Sequence, residues 1–223
     1  VFDPQGTLCG SPAFVFGKAV AVLRARVFID FWNFQLNWNS HNAGVGCDWS
    51  KLPAALIRAA QVELLNAGIT DELMLDETIV HASVERHQTP LRHWLTNFLD
   101  RQPSFDVKVR ERQSRPRPVH CKACGTDTAA CPACGAEFRT AAEKGVDTAI
   151  VTDLLSLAWQ GAYDVAVLVT SDADFIPAVE HVQSKGLKVV NAAWPKIGHQ
   201  LRAACWAGCE VTDFAHQIRR AAT

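Results

Sequence analysis

The residues of this 223-residue chain that could do chemistry fall into three acidic segments and one cysteine segment. The first acidic segment, Arg26 to Asp30 (RVFID), is a β-branched and aromatic run that ends on a carboxylate, with Asn33 three residues further on. The second, KGVDTAIVTDLL, places Asp147 at the start of a helix and Asp153 six residues later. In the third, the apolar strand DVAVLVT runs into SDADF, so Asp172 and Asp174 occupy the turn before the next helix. Hard divalent cations such as Mg2+ take oxygen ligands, a few carboxylates with the other positions left to water and phosphate oxygens. One or two such ions can activate water and stabilise an in-line displacement at phosphorus. A strand-end Asp can equally cap the helix that follows, so the weight rests on three segments meeting at one sheet edge. Asp153 lies six residues along the helix from Asp147, which at about 100° per residue turns it well away, and it reads as structural or supporting.

Those segments need a sheet to hold them. Asp164 to Thr170 and Leu187 to Ala193 are nearly continuous apolar runs, and Glu77 to Glu85 has strand character. Phe105 to Gln113 alternates Val107 and Val109 with Lys108, Arg110 and Arg112, a strand with one basic face. Between them, helices are predicted from Pro53 to Asn66, from Pro90 to Leu99 with Leu91, Trp94, Leu95 and Phe98 inward, from Val146 to Gln160, and from Phe175 to Lys185. Trp38 to Ser50, rich in Asn, Gly and Ser, reads as a loop, and a short terminal helix could lie between Asp213 and Thr223. Apolar strands alternating with helices indicate a mainly parallel sheet covered on both faces, a three-layer α/β domain.

Composition leaves function open. Lys plus Arg and Asp plus Glu number 22 and 23, so any nucleic-acid surface must come from clustering rather than net charge. No apolar run is long enough for a membrane span, and the opening stretch lacks the basic segment of a secretory signal. No phosphate-cradling GxxxxGK[ST] or GxGxxG and no GxSxG elbow is present. The eight histidines form no HExxH pair and read mostly as surface or loop residues.

Cys121 and Cys124 form one CxxCG knuckle, and Cys131 and Cys134 a second. Four thiolates suit a tetrahedral, closed and therefore structural Zn2+, with the Gly after each pair permitting the tight turn. Iron-sulfur or redox chemistry is the alternative. In a chain with a large apolar core, this cysteine usage points to a reducing, cytoplasmic setting rather than a disulfide framework. Lys108, Arg110, Arg112, Arg115 and Arg117 lead into the segment, opposed only by Glu111, and are either a phosphate-binding run or a solvated face.

In order and spacing, VFIDFWNF, KGVDTAIVTDLL and DVAVLVTSDADFIPAVEHVQSKGLKVV resemble the signature blocks of the NYN domain family, including its LabA-like branch, within the PIN-like nuclease superfamily. The resemblance implies a Rossmann-like sheet, Mg2+ or Mn2+ dependence and cleavage of RNA. It makes Asp30, Asp147 and Asp172 the principal metal ligands, with Asp174 and Asn33 as supporting members. Phe31 and Trp32 depart from the small residue that commonly follows the first Asp, and either pack in the core or stack on bases. The cysteine insert is a second departure.

The resulting expectation is a nuclease domain over residues 24–223, a zinc insert at 119–138 within it, and an N-terminal extension at 1–23. The expected activity is metal-dependent endoribonuclease chemistry, with RNA as partner and a homodimer permitted. A non-catalytic RNA-binding module and another metal-dependent phosphotransfer enzyme of Toprim type are the alternatives.

Overall fold

A computed structural model describes residues 21–142 and 145–220. Nine strands and seven α-helices are found among them. The strands are β1 (Val22–Asp30), β2 (Glu72–Glu85), β3 (Phe105–Pro116), β4 (Val119–His120), β5 (Asp127–Thr128), β6 (Arg139–Ala142), β7 (Val165–Val169), β8 (Lys188–Ala193) and β9 (Ala207–Glu210). The helices are α1 (Phe31–His41), α2 (Leu52–Asn66), α3 (Thr89–Trp94), α4 (Val146–Trp159), α5 (Ile176–Ser184), α6 (His199–Ala204) and α7 (Val211–Phe214).

The main sheet has the order β6-β3-β2-β1-β7-β8-β9. Its six strands from β3 to β9 are parallel, and β6 joins the β3 edge antiparallel. The chain adds strands outward from β1 through β2 and β3, then returns to the other side of β1 with β7 and continues to β9. The gap between the carboxyl ends of β1 and β7 is thus the point where strand order reverses, the place where open α/β sheets bind ligands. Helices cover both faces, which is why Val27, Phe28 and Ile29 are all fully buried. One apolar cluster unites Val27, Ile29, Phe31, Phe34, Leu56 and Val167 under α1 and α2. The other unites Phe28, Ile79, Ile150, Leu168 and Val179 under α4 and α5.

Several elements differ from expectation for identifiable reasons. The helix after Asp30 runs to His41, into the segment read as loop, because Phe34 and Trp38 supply a buried i, i+4 stripe. Phe98 is 52% exposed rather than inward. Leu95–Leu99 is a π-helical turn continuing α3, and its wider spacing aims Leu95 and Leu99 at the core instead. β2 starts at Glu72, before the predicted strand. Its register with β1 shifts between Ala25 and Arg26, where Arg26 pairs with Asp76 at 2.8 Å and Glu77 at 3.1 Å. β1 begins at Val22, inside the stretch read as an extension, while residues 1–20 lie outside the described residues. The cysteine segment lies between β3 and β6, as an arm carrying the β4-β5 hairpin.

Candidate active site at the β1-β7 switch point

Asp30 is the last residue of β1 and only 9% exposed. Its Oδ1 accepts from the Asn33 backbone N–H at 3.1 Å, capping α1. Across the switch point Asp172 does the same in its own turn, with Oδ1 accepting from the Asp174 N–H at 2.9 Å. Both acids therefore cap helical turns, and the caps fix where their carboxylates sit. Asn33 links the two turns directly, because its Oδ1 accepts from the Ser171 N–H at 3.1 Å. The side chain thus satisfies a backbone group, in the opposite turn rather than its own. Asp147 lies exposed in the first turn of α4, a helix that packs on β1, β2 and the Asp172–Phe175 turn. Asp174 is exposed.

Two further residues shape this edge and were not anticipated. Asn191, buried on β8, donates Nδ2 to the carbonyls of Leu168 at 3.0 Å and Thr170 at 2.9 Å, clasping the end of β7 just before the acidic turn. Gly198, at φ +69°, comes so near the same turn that a Cβ there would lie 2.9 Å from Ser171 Cα. A polar residue inside the apolar run KVVNAA was the available sign of Asn191; nothing local marks Gly198.

β2 and β3 run past the end of β1 and form a wall beside it. Asp30 is in register with His81, and His81 with Lys108. His81 is 1% exposed, standing in the interior run TIVHASV of the expected strand, and so is an exception to the surface and loop reading given for most of the histidines. Burial pulls its pKa down to about 4, with Lys108 and Arg110 acting in the same direction and Asp153 against them. The ring is neutral at pH 7. Asp153, predicted to point away from Asp147, reaches this wall from α4: its Oδ2 lies 2.7 Å from Lys108 Nζ and 2.9 Å from His81 Nε2. His81, Lys108, Arg110, Gly145, Thr148, Thr152 and Asp153 line a cleft of about 360 Å³ beside the acids.

The predicted basic run divides. Lys108 and Arg110 line the cleft. Arg112 lies over the Trp32 ring at 4.9 Å and donates to Ser83 Oγ at 2.6 Å. Arg115 and Arg117 sit further out, on the way to the cysteine arm. Of the two aromatic departures, Phe31 is core, 2% exposed and stacked on Trp49, whereas Trp32 is half-buried with its Nε1 donating to the Ser83 carbonyl.

In the arm, the two knuckles repeat one geometry. Gly125 N–H donates to Cys121 O and Gly135 N–H to Cys131 O, each at 2.8 Å, with both glycines at positive φ. The thiols within each pair interact: Cys124 falls to about 7, chiefly through its contact with the Thr126 hydroxyl, and Cys131 is lowered by backbone N–H groups. A lowered thiol pKa at each knuckle suits a soft metal, which binds the thiolate. Among the described residues, however, no group of three or more His, Cys, Asp or Glu closes on one point, either in the arm or at the acids. For a hard ion that is compatible with the fold, because Mg2+ is held by one or two carboxylates plus water and substrate phosphates. The donors at the switch point are of the right kind, all carboxylate or amide oxygen.

The profile of the NYN domain matches residues 24–207, and the chain belongs to that family. NYN domains are nuclease-like members of the PIN-like group, and the parallel three-layer sheet agrees with this membership. A crystal structure of a protein of unknown function from Vibrio parahaemolyticus shares the fold, with a TM-score of 0.54 at 16% identity, covering 92% of this chain and 99% of that one. No curated protein matches the sequence. No helix among the described residues is long and apolar enough to cross a membrane.

Proposed function

We propose that the protein is a divalent-metal-dependent endoribonuclease, working at the β1-β7 switch point. The observation that carries this reading is the Asn33-Ser171 hydrogen bond, which ties the turn bearing Asp30 to the turn bearing Asp172 at the one sheet edge where such folds bind ligands. Asp30, Asp172 and Asp147 would hold Mg2+ or Mn2+, with Asp174 and Asn33 in support. A bound ion there would supply Lewis-acid polarisation of the phosphate and neutralise charge that develops on its oxygens. The chain's own part is positional. The two caps keep the carboxylates still, Asn33 and Asn191 hold the turns in register, and Lys108 and Arg110 offer cationic contacts to a strand that enters along β3. Trp32 with Arg112 forms a ledge at the mouth on which a base can stack.

The cysteine arm is the lobe over which RNA would extend, with Arg115 and Arg117 at its base and a structural Zn2+ held by Cys121, Cys124, Cys131 and Cys134. Supporting this, no residue from Arg115 to Thr140 is buried. An arm with no apolar core of its own needs a cross-link to offset the entropy of its ordering. A cytoplasmic setting, where such thiols stay reduced, suits this site, and a homodimer is compatible with the fold.

The test is cleavage of labelled single-stranded and hairpin RNA, with DNA controls, in Mn2+, Mg2+ and EDTA, together with metal analysis of the purified protein. Metal-dependent RNA cleavage and one zinc per chain are expected. RNA binding without any cutting would replace the nuclease reading by a binding module.

A further inference from the structure

The cleft between β2, β3 and α4 has a charge balance unlike that of a simple phosphate site. Lys108 is engaged by Asp153 at 2.7 Å and by Asp106 at 3.5 Å. Arg110, exposed at the rim, is the cleft cation with no ion-pair partner among the described residues. On the floor, His81 is fully enclosed, yet neither ring nitrogen has an aligned hydrogen-bond partner; Asp153 Oδ2 is near Nε2 but off line. Enclosing a polar ring without hydrogen bonds is costly and calls for an explanation. Its effect here is on Asp153. Lys108 and His81 both converge on one carboxylate oxygen, Oδ2, while Oδ1 has no hydrogen-bond partner among the described residues. The Asp153 side chain is 22% exposed, so Oδ1 can meet a ligand. A carboxylate oxygen in a neutral cleft repels a phosphate and accepts from a hydroxyl.

His81 is one strand over from Asp30 and Lys108 two strands over. At about 4.8 Å between strands, the cleft lies roughly 5 to 10 Å from Asp30, within the reach of a neighbouring nucleotide. Residues paired across parallel strands face the same side, so the cleft and Asp30 open on the α4 face together.

We propose that Asp153 reads a ribose 2′-hydroxyl of the bound strand, with His81 as the positioning residue beneath its carboxylate and Arg110 contacting the adjoining phosphate, so that this cleft selects RNA over DNA. The inference rests on the nuclease reading only for the direction of the strand, since selection is measured by binding. The 2′-hydroxyl, donor and acceptor together, is the group by which a protein tells RNA from DNA at a given position. A site built to hydrogen-bond a hydroxyl rejects the analogue that lacks it, because its own acceptor is left without a partner.

The experiment measures affinity for one sequence as RNA, as DNA and as 2′-O-methyl RNA, in Ca2+ with cleavage monitored separately, for wild type, Asp153→Ala, His81→Asn and Arg110→Ala. Wild type should prefer RNA to DNA by at least about tenfold, the share of one hydrogen bond to a charged acceptor. Asp153→Ala also frees Lys108 and removes a charge that repels phosphate, effects that RNA and DNA share, so it should bring the RNA-to-DNA ratio close to one whatever happens to the absolute affinities, and His81→Asn should lower the ratio partway. Arg110→Ala should weaken RNA and DNA alike, reducing the salt dependence by about one phosphate contact. Partial unfolding of a variant lowers both affinities equally and leaves the ratio intact, so a changed ratio reports recognition. Equal binding of RNA and DNA by wild type, or an unchanged ratio in Asp153→Ala, overturns the inference even if RNA is cleaved. The expected ratios in a protein that never cuts would uphold it while the nuclease reading falls.

Discussion

Asn33 offers the sharpest test of how the site is held, because a single hydrogen bond joins its two halves. Its Oδ1 accepts from Ser171 N–H at 3.1 Å across 138 residues of sequence, in a half-buried setting. Asn33→Ala removes the acceptor and leaves a backbone N–H without its partner. The expected cost is about 1 kcal/mol if water reaches Ser171, and up to about 3 kcal/mol if it does not. For a domain of this size, each kcal/mol lowers the melting temperature by about 2 to 4 °C. Asn33→Asp keeps an acceptor oxygen at the same place and should recover most of that loss. The direct readout is amide hydrogen exchange at Ser171, which should quicken in Asn33→Ala and stay slow in Asn33→Asp. Cleavage by Asn33→Ala should fall further than its folded fraction, because the turns carrying Asp30 and Asp172 lose their register. Unchanged exchange at Ser171 in the alanine variant would mean that this hydrogen bond does not hold the two turns together, whatever the activity.

Other outcomes follow from the same geometry. Gly198→Ala would force a Cβ to 2.9 Å from Ser171 Cα at a positive φ, and should destabilise by about 1 to 3 kcal/mol while disturbing the acidic turn; thermal melts and cleavage rates check this. Because the folded protein holds His81 at about 4 and the unfolded chain near 6.5, the unfolded state takes up a proton first as pH falls. The contribution is therefore complete above about pH 6.5 and is lost down to about pH 4, on the order of 3 kcal/mol, and the urea midpoint should fall across that window less in His81→Asn than in wild type. Chelation should release amide protection between residues 117 and 140 and leave the melting of the α/β core nearly unchanged, since nothing between Arg115 and Thr140 is buried. A core transition that falls with the arm would show the two to be one cooperative unit.

Much of the fold could be read from the sequence because it is written in local patterns. Apolar β-branched runs announce strands buried on both faces, and Asp30 and Asp172 stand at their carboxyl ends, where the chain must turn. The CxxCG knuckles are local too, and their backbone geometry needed no distant partner. What escaped depends on contacts far apart in sequence. Nothing near His81 shows that an α4 carboxylate 72 residues later in the numbering reaches down to it, and helical spacing from Asp147 says nothing of what Asp153 meets. Phe98 went outward because one π-helical turn shifts the helix face, a change that an apolar pattern of 3.6 residues cannot register.

A metal-dependent nuclease working at the switch point should lose its RNA cleavage in Mn2+ when Asp172 is replaced by Asn. Asparagine caps a helical turn about as well as aspartate, so the Asp174 N–H keeps its acceptor and the fold should melt within about 1 kcal/mol of wild type. Removing the charge should nevertheless cut the rate by on the order of a hundredfold or more. Cleavage at the wild-type rate by the folded variant would mean that the Asp172 carboxylate takes no part in the chemistry and that the catalytic centre lies elsewhere.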